Sequence, residues 1–163
     1  RLNKMATRIT GGTLTVTITE ALTMTHATSS NNRTHSQTIT KTFASIDNLE
    51  KRVLNLPNTN QVQIAELGGT AAAGLGVYKR SSVAYIRITN LDDTNGVAII
   101  LEDDGADTAS LLVDADSTLM LTDTQVEAKT GGEVWAAWSD IDKIFLKAAS
   151  ANVQVEVVIA TTE

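Results

Sequence analysis

The sequence predicts an all-β protein, an antiparallel β-sandwich or jelly roll with an extended N-terminal strand pair. The stretch from Thr13 to Ser30 alternates threonine or alanine with a largely apolar set, which is the two-residue period of a strand. From Val77 onward, short apolar runs follow one another with acidic turns between them. The 163 residues are 42% hydrophobic but only 4% aromatic, so a core of Val, Ile, Leu and Ala in many short strands is expected.

The first predicted strand has two chemically different faces. Its odd-numbered positions are nearly all threonine, whose β-branched side chain suits a pleated strand. Its even-numbered positions are mostly apolar, and five of them form our candidate interface, either between subunits or within a hairpin: Leu14, Val16, Ile18, Leu22 and Met24.

The segment THSQTITKTF, residues 34–43, is the predicted hairpin partner of this strand, because a polar turn of residues 29–32 separates the two. Threonine and serine recur on one side of the segment. The other side is much less apolar than the first strand and consists of His35, Gln37, Ile39, Lys41 and Phe43. We therefore expect a hairpin that cannot bury itself alone, with residues 1–43 as an N-terminal arm and residues 44–163 as a sandwich domain.

The segment FASIDNLEKRVLNLPNTN, residues 43–60, fits two structures. Ser45 could cap a short helix with an apolar face formed by Ile46, Leu49 and Val53. We prefer one turn of helix followed by a strand that ends at Leu56, before Pro57.

The rest of the chain is predicted to supply the strands of the sandwich. The candidate strands are QVQIAEL, VAYIRIT, VAIILE, SLLVDA, STLMLT, VWAAWS, KIFLKAA and NVQVEVVIA. The small-residue segment GGTAAAGLG is predicted to be a connector, and Asn95-Gly96 is a strong turn signal. Short strands at this spacing indicate a sandwich or jelly roll.

Charge and composition disfavour several partners. A net charge of −6 and a pI near 4.9 argue against binding to nucleic acid. The sequence contains no run of about 18 apolar residues, so no membrane span is expected. The start RLNKMATRIT has no apolar core of a signal peptide, and we therefore expect synthesis in the cytoplasm. Met5 resembles a natural start, and we interpret residues 1–4 as an upstream extension. The absence of cysteine excludes disulfides and thiol chemistry.

Acidic residues cluster in the predicted turns, where oxygen ligands could hold calcium. The segments LDDTNG and EDDGAD both depart from the calcium-loop pattern, so we expect solvated turns and no metal. The clusters are Asp92 and Asp93; Glu102, Asp103, Asp104 and Asp107; Asp114 and Asp116; and Asp140 and Asp142.

No arrangement of catalytic residues is evident. His26 and His35 could lie near each other across the hairpin, but their neighbours are Thr, Ser and Asn, and a structural role is the better interpretation. The sequence has no GxSxG, Walker, HExxH or GxGxxG motif. We expect no enzyme activity, no catalytic residue and no cofactor.

A carbohydrate-binding or adhesin module, with or without calcium, is the alternative function. Trp135, Trp138 and Phe145 could form a platform for sugar rings. A strand would place Trp135 and Trp138 on opposite faces, however, so at least one of them is expected in the core.

Four segments together resemble small virion structural proteins of tailed bacteriophages, particularly marine ones. They are TVTITEALTM, YIRITNLDDTNGVAIIL, DADSTLMLTD and IFLKAASANVQVEVVIA. In that group a threonine-rich strand pair precedes a compact β-sandwich. The resemblance implies a component present in many copies, located in the virion, whose partners are itself and other virion proteins. It does not indicate whether the protein decorates the capsid or belongs to the neck or the tail.

The residues favour the same kind of role, because exposed strand edges pair with neighbouring strands. We therefore expect a non-enzymatic virion protein, made in the host cytoplasm, that forms homo-oligomers and attaches by its N-terminal region.

Overall fold

The computed structural model describes residues 11–24, 33–67, 76–122 and 141–162. The chain divides into two compact units, residues 1–46 and residues 47–163. Several predictions lie outside the described residues: the extension of residues 1–4, the turn of residues 29–32, most of the GGTAAAGLG connector and the strand VWAAWS.

The first unit contains a long antiparallel hairpin of β1 (Gly12–Met24) and β2 (Arg33–Ile46). This confirms the predicted N-terminal strand pair. The pairing is regular from Met24 back to Leu14 and then shifts, because two residues of β2 stand against one of β1. Such a bulge bends the bulged strand. Ser45 lies within it and has a positive φ of 58°.

The predicted helical turn after Ser45 is wrong, because residues Asn48–Leu56 form a strand, β3. The final strand of the chain pairs with β3 along its whole length. Leu49 and Val53, the expected apolar face of the helix, lie on the exposed side of β3, whereas Leu56 is fully buried. Pairing with a distant strand has therefore overridden the local helical pattern.

The second unit is an antiparallel sandwich. Its further elements are β4 (Val62–Glu66), a short 3-10 helix (Arg80–Ser82), β5 (Val83–Asn90), β6 (Val97–Glu102), β7 (Thr108–Val113), β8 (Thr118–Thr122), β9 (Lys143–Ala148) and β10 (Val153–Thr161). One sheet has the order β3-β10-β5-β8 and the other β4-β9-β6-β7. The pairs β3 with β10, β4 with β9, β5 with β8 and β6 with β7 are nested, which is the wrapping of a jelly roll.

The core of the sandwich lies between the two sheets and is almost entirely aliphatic. Along β10, every second side chain from Val153 to Ile159 is buried, and Val158 and Ala160 near the end of the strand are buried as well. Its largest fully buried members include Leu56, Ile64, Ile86, Ile88, Ile99, Ile144 and Leu146. Tyr78 is the one aromatic residue of this cluster within the described ranges. The expected core of branched aliphatic residues is thus present.

The nested pairing brings four connections to one end of the sandwich, here called the four-loop end: residues 57–61, 91–96, 114–117 and 149–152. Hydrogen bonds join these connections to one another. The Asn58 amide donates to the Ser150 carbonyl at 2.7 Å, and the Ser150 hydroxyl donates to Asn95 Oδ1 at 2.7 Å. The Asp116 N–H donates to the Asp92 carbonyl at 2.9 Å. The loops therefore form one connected layer.

Among the residues that the structure describes, no helix has the length and apolar character needed to cross a bilayer.

Candidate functional site

The hairpin sorts its residues onto two faces, as the strand period requires. On one face, here called the mixed face, the even positions of β1 stand beside the odd positions of β2. Its six cross-strand rows are Leu14–Phe43, Val16–Lys41, Ile18–Ile39, Glu20–Gln37, Leu22–His35 and Met24–Arg33. All five candidate interface residues lie on this face.

Exposure of the mixed face increases away from the bulge. Phe43 is buried and Leu14 and Val16 are half-buried. Beyond them, Ile18 is 40% exposed, Ile39 48%, Leu22 54% and Met24 57%. Four large apolar side chains on one face thus contact solvent together, which is the usual character of an interaction surface.

Charge on the mixed face is divided between the two strands. β1 contributes one carboxylate, Glu20, and β2 contributes the basic side chains of Arg33, His35 and Lys41. The Lys41 ammonium lies 5.6 Å from the centre of the Phe43 ring, which is a cation-π distance. This contact holds the positive charge of Lys41 on the mixed face, toward the bulge.

The opposite side, here called the threonine face, consists of the odd positions of β1 from Thr15 to Thr23 and the even positions of β2 from Thr34 to Thr42. None of these residues is charged. All of its side chains are exposed. Its rows are Thr15–Thr42, Thr17–Thr40, Thr19–Thr38, Ala21–Ser36 and Thr23–Thr34. Cross-strand threonine pairs stabilise a sheet while leaving hydroxyls to water. The threonine face therefore supports the strand pair without adding apolar surface.

Two of the acidic clusters contain carboxylates that close turns. Asp92 Oδ1 accepts hydrogen bonds from the main-chain N–H of Asn95 at 2.6 Å and of Thr94 at 3.0 Å. These bonds, that of Asn95 first, hold the pKa of Asp92 below its ordinary value. Asp103 Oδ1 likewise accepts from the Asp107 N–H at 2.8 Å. The expected role as turn residues agrees with these contacts.

Two further acidic residues form ion pairs. Glu102 binds the Lys143 ammonium at 2.8 Å and raises the pKa of that lysine. Asp142 binds Arg80 at 3.2 Å, and Asp140 lies outside the described residues. Within the described ranges, no group of three or more His, Asp or Glu side chains could hold a metal ion.

The structure describes one histidine and one of the three aromatic residues considered for sugar binding. His35 is exposed on the mixed face opposite Leu22. Phe145 is half-buried on β9, where it pairs with Ile100 and Gln63. The predictions for His26, Trp135 and Trp138 fall outside the described residues.

Sequence reasoning missed a polar residue that organises the four-loop end. Asn90 is only 1% exposed, and its amide donates to the carbonyls of Asn95 at 2.8 Å and Asp114 at 2.9 Å. A signal for it exists, because Asn90 continues the series of inward-facing positions that begins with Ile86 and Ile88. A polar residue in such a series predicts a satisfied buried amide.

A shallow depression of about 490 Å³ lies beside the four-loop end. Its lining is Asn55, Leu91, Asp92, Asn152, Val153 and Gln154. None of these six residues is aromatic, so the depression lacks the ring faces that the alternative carbohydrate-binding function would use.

The fold and these surfaces define a small all-β protein, in which an antiparallel hairpin precedes a sandwich of two four-stranded antiparallel sheets. Models of known protein families, curated protein sequences and solved structures were compared with the chain, and none of them matched it.

Proposed function

We propose that this chain is a non-enzymatic structural protein of a tailed bacteriophage particle, which forms homo-oligomers and attaches to other virion proteins through its hairpin. The observation that carries the proposal is the exposure of Ile18, Leu22, Met24 and Ile39 on one face of the hairpin. The hairpin belongs to a compact unit of its own, distinct from the sandwich.

The energetic argument concerns these four side chains. Fully burying one of them against a partner contributes about 1.5–3 kcal/mol. Because they are only partly exposed, each contributes a fraction of that amount, and repetition in a symmetric assembly multiplies the contact. A surface of this kind is better suited to association than to remaining in water.

The sandwich is compatible with this role. Eight-stranded jelly rolls occur in capsid proteins, lectins and cupins, so the fold alone does not select among these functions. The resemblance of segments such as YIRITNLDDTNGVAIIL to phage virion proteins favours the first of them. Capsid decoration, the neck and the tail are all compatible sites.

The test compares particles assembled with the full chain and with residues 47–163, with copy number measured by quantitative mass spectrometry of purified virions. We expect the shortened chain to fold, since the buried core cluster lies entirely within residues 47–163, and to be absent from particles. Incorporation of the shortened chain at the normal copy number would overturn the proposal.

A double variant makes the same comparison without deletion. Leu22→Ser and Met24→Ser together remove apolar surface from the mixed face, and we expect reduced incorporation. The matched control is Thr19→Ser with Thr23→Ser, on the threonine face of the same strand, which should leave incorporation unchanged.

A further inference from the structure

The mixed face of the hairpin carries a charge pattern that complements itself. We infer that two copies of this chain pair through their mixed faces, around a two-fold axis that passes through the Ile18–Ile39 row. The inference rests on the proposed function, because it names a second copy of the chain as a partner of the hairpin.

The geometry follows from the cross-strand register. With the axis in the plane of the interface and perpendicular to the strands, β1 lies over β1 of the second copy and the order of the rows is reversed. The Ile18–Ile39 row then meets itself, and the Val16–Lys41 row meets the Glu20–Gln37 row. The Leu14–Phe43 row meets the Leu22–His35 row, but Phe43 is already buried within the chain, so the contact centres on the three rows from Val16–Lys41 to Glu20–Gln37.

Charge complementarity favours this arrangement. Glu20 of one copy lies over Val16 of the other, and Lys41 is the cross-strand neighbour of Val16. The carboxylate and the ammonium therefore meet, and the symmetry repeats the pair. The stacking of Lys41 on Phe43 already holds the ammonium on this face. Opposite charges flank a centre of four isoleucine side chains, two from each copy.

Other arrangements of the same two faces are less favourable. Centring the axis on the Glu20–Gln37 row brings two carboxylates together. Centring it on the Leu22–His35 row opposes two histidines but places Glu20 beside Arg33 of the second copy, so this is the register that the Leu22→Cys variant must exclude. An axis parallel to the strands keeps each row over itself, which places Lys41 over Val16 and Glu20 over Gln37 with no opposite charge.

Cross-linking of single-cysteine variants tests the register, because the full chain contains no cysteine. Packed sheets lie about 10 Å apart, which is too far for a disulfide but within reach of a short bis-maleimide. We expect Ile18→Cys to give a covalent dimer. Thr17→Cys, the adjacent residue on the threonine face, is the matched control and should give no covalent dimer.

Leu22→Cys distinguishes the registers. In the inferred pairing the two copies of residue 22 lie about 27 Å apart, since four rows of two residues separate them. We expect no cross-linked dimer from this variant. A dimer from Leu22→Cys or Thr17→Cys but not from Ile18→Cys would overturn the inference.

Charge exchange supplies a second, independent measurement, by sedimentation of the full chain. Glu20→Lys and Lys41→Glu should each weaken dimerisation by about tenfold, and the double variant should restore it. Thr19→Lys adds a positive charge to the threonine face of the same strand, as a control, and should have a smaller effect. A monomeric parent chain, or a double variant no better than the single variants, would overturn the inference and favour another partner for the mixed face.

The two proposals fail in different ways. If the chain pairs as inferred but residues 47–163 enter particles normally, the proposed function is wrong and the pairing stands. If the chain does not pair but its entry into particles requires the hairpin, the pairing is wrong and the attachment through the hairpin, as in the proposed function, stands.

Discussion

The side-chain amide of Asn90 donates a hydrogen bond to the main-chain carbonyl of Asp114 at 2.9 Å, which links the end of β5 to the turn between β7 and β8. The same amide donates to the Asn95 carbonyl, and Asn90 Oδ1 accepts from the Asp92 N–H at 3.1 Å. One buried side chain thus satisfies main-chain groups of two loops. We infer that Asn90 fixes the geometry of the four-loop end.

Replacement of Asn90 by alanine should destabilise the sandwich by about 3 kcal/mol, because it removes a buried side chain and its hydrogen bonds to main-chain groups of two loops. Chemical denaturation of the full chain measures the change in the free energy of unfolding. Asn55→Ala, at an exposed position on β3, is the control and should change it by no more than about 0.5 kcal/mol. Equal stabilities of the two variants would contradict the role assigned to Asn90.

The two tyrosines of the chain, Tyr78 and Tyr85, predict a loss of stability in alkaline solution. Burial raises the pKa of Tyr78, and the hydrogen bond that its hydroxyl donates to Glu50 raises it further. Burial also raises the pKa of Tyr85. Above about pH 10, the ordinary pKa of tyrosine, the unfolded chain loses phenol protons that the folded chain retains, so the free energy of unfolding falls as pH rises.

Denaturant unfolding on either side of that pH measures the effect. Tyr78→Phe should reduce the alkaline loss of stability, because one of the two shifted phenols is gone. Ultraviolet titration supplies the control, since tyrosinate absorbance should rise sharply only when the protein unfolds. A folded protein in which both phenols ionise at the ordinary pKa would refute this prediction.

The fold class could be predicted from local alternation, but the strand that follows Ser45 could not. Strands such as Val153–Thr161 follow directly from their two-residue period. The strand Asn48–Leu56 was harder to assign, because its helical spacing of apolar residues competes with pairing to β10, which lies about a hundred residues away along the chain. Such pairing depends on contacts that no local window of sequence contains.

For the mixed face, the sequence alone predicted which residues of β1 share a face but not which residues of β2 lie beside them. Alternation identified Leu14, Val16, Ile18, Leu22 and Met24 as one face. It did not establish that Glu20 and Lys41 stand two rows apart on opposite strands, because that depends on the register of the hairpin. The relative positions of these two charges therefore follow only from the cross-strand register.

Two adjacent isoleucines of β6 differ in burial, so replacing each of them tests how the strand is oriented. Ile99 is fully buried between the sheets, and Ile100 is half-buried on the outer side of its sheet. Ile99→Ala should cost about 2–5 kcal/mol of unfolding free energy, because it leaves a cavity. Ile100→Ala should cost about 1 kcal/mol, since it loses only part of that burial. Similar losses for both variants, measured by denaturant unfolding, would show that β6 is not oriented as described.

Gly12 is the position at which a methyl group should loosen the hairpin and leave the sandwich intact. A Cβ added at Gly12 would lie 2.9 Å from the main-chain oxygen of Ile46, closer than carbon and oxygen normally approach. Because Ile46 follows the bulge on β2, the strands must separate there. Gly12→Ala should therefore accelerate amide hydrogen exchange at Leu14 by about tenfold, which corresponds to about 1.4 kcal/mol of local opening. Thr13→Ala is the neighbouring control and should have a smaller effect.

Exchange at Ile99 should be unchanged in both variants, because that residue belongs to the other compact unit. Faster exchange throughout the sandwich would instead show that the two units unfold together.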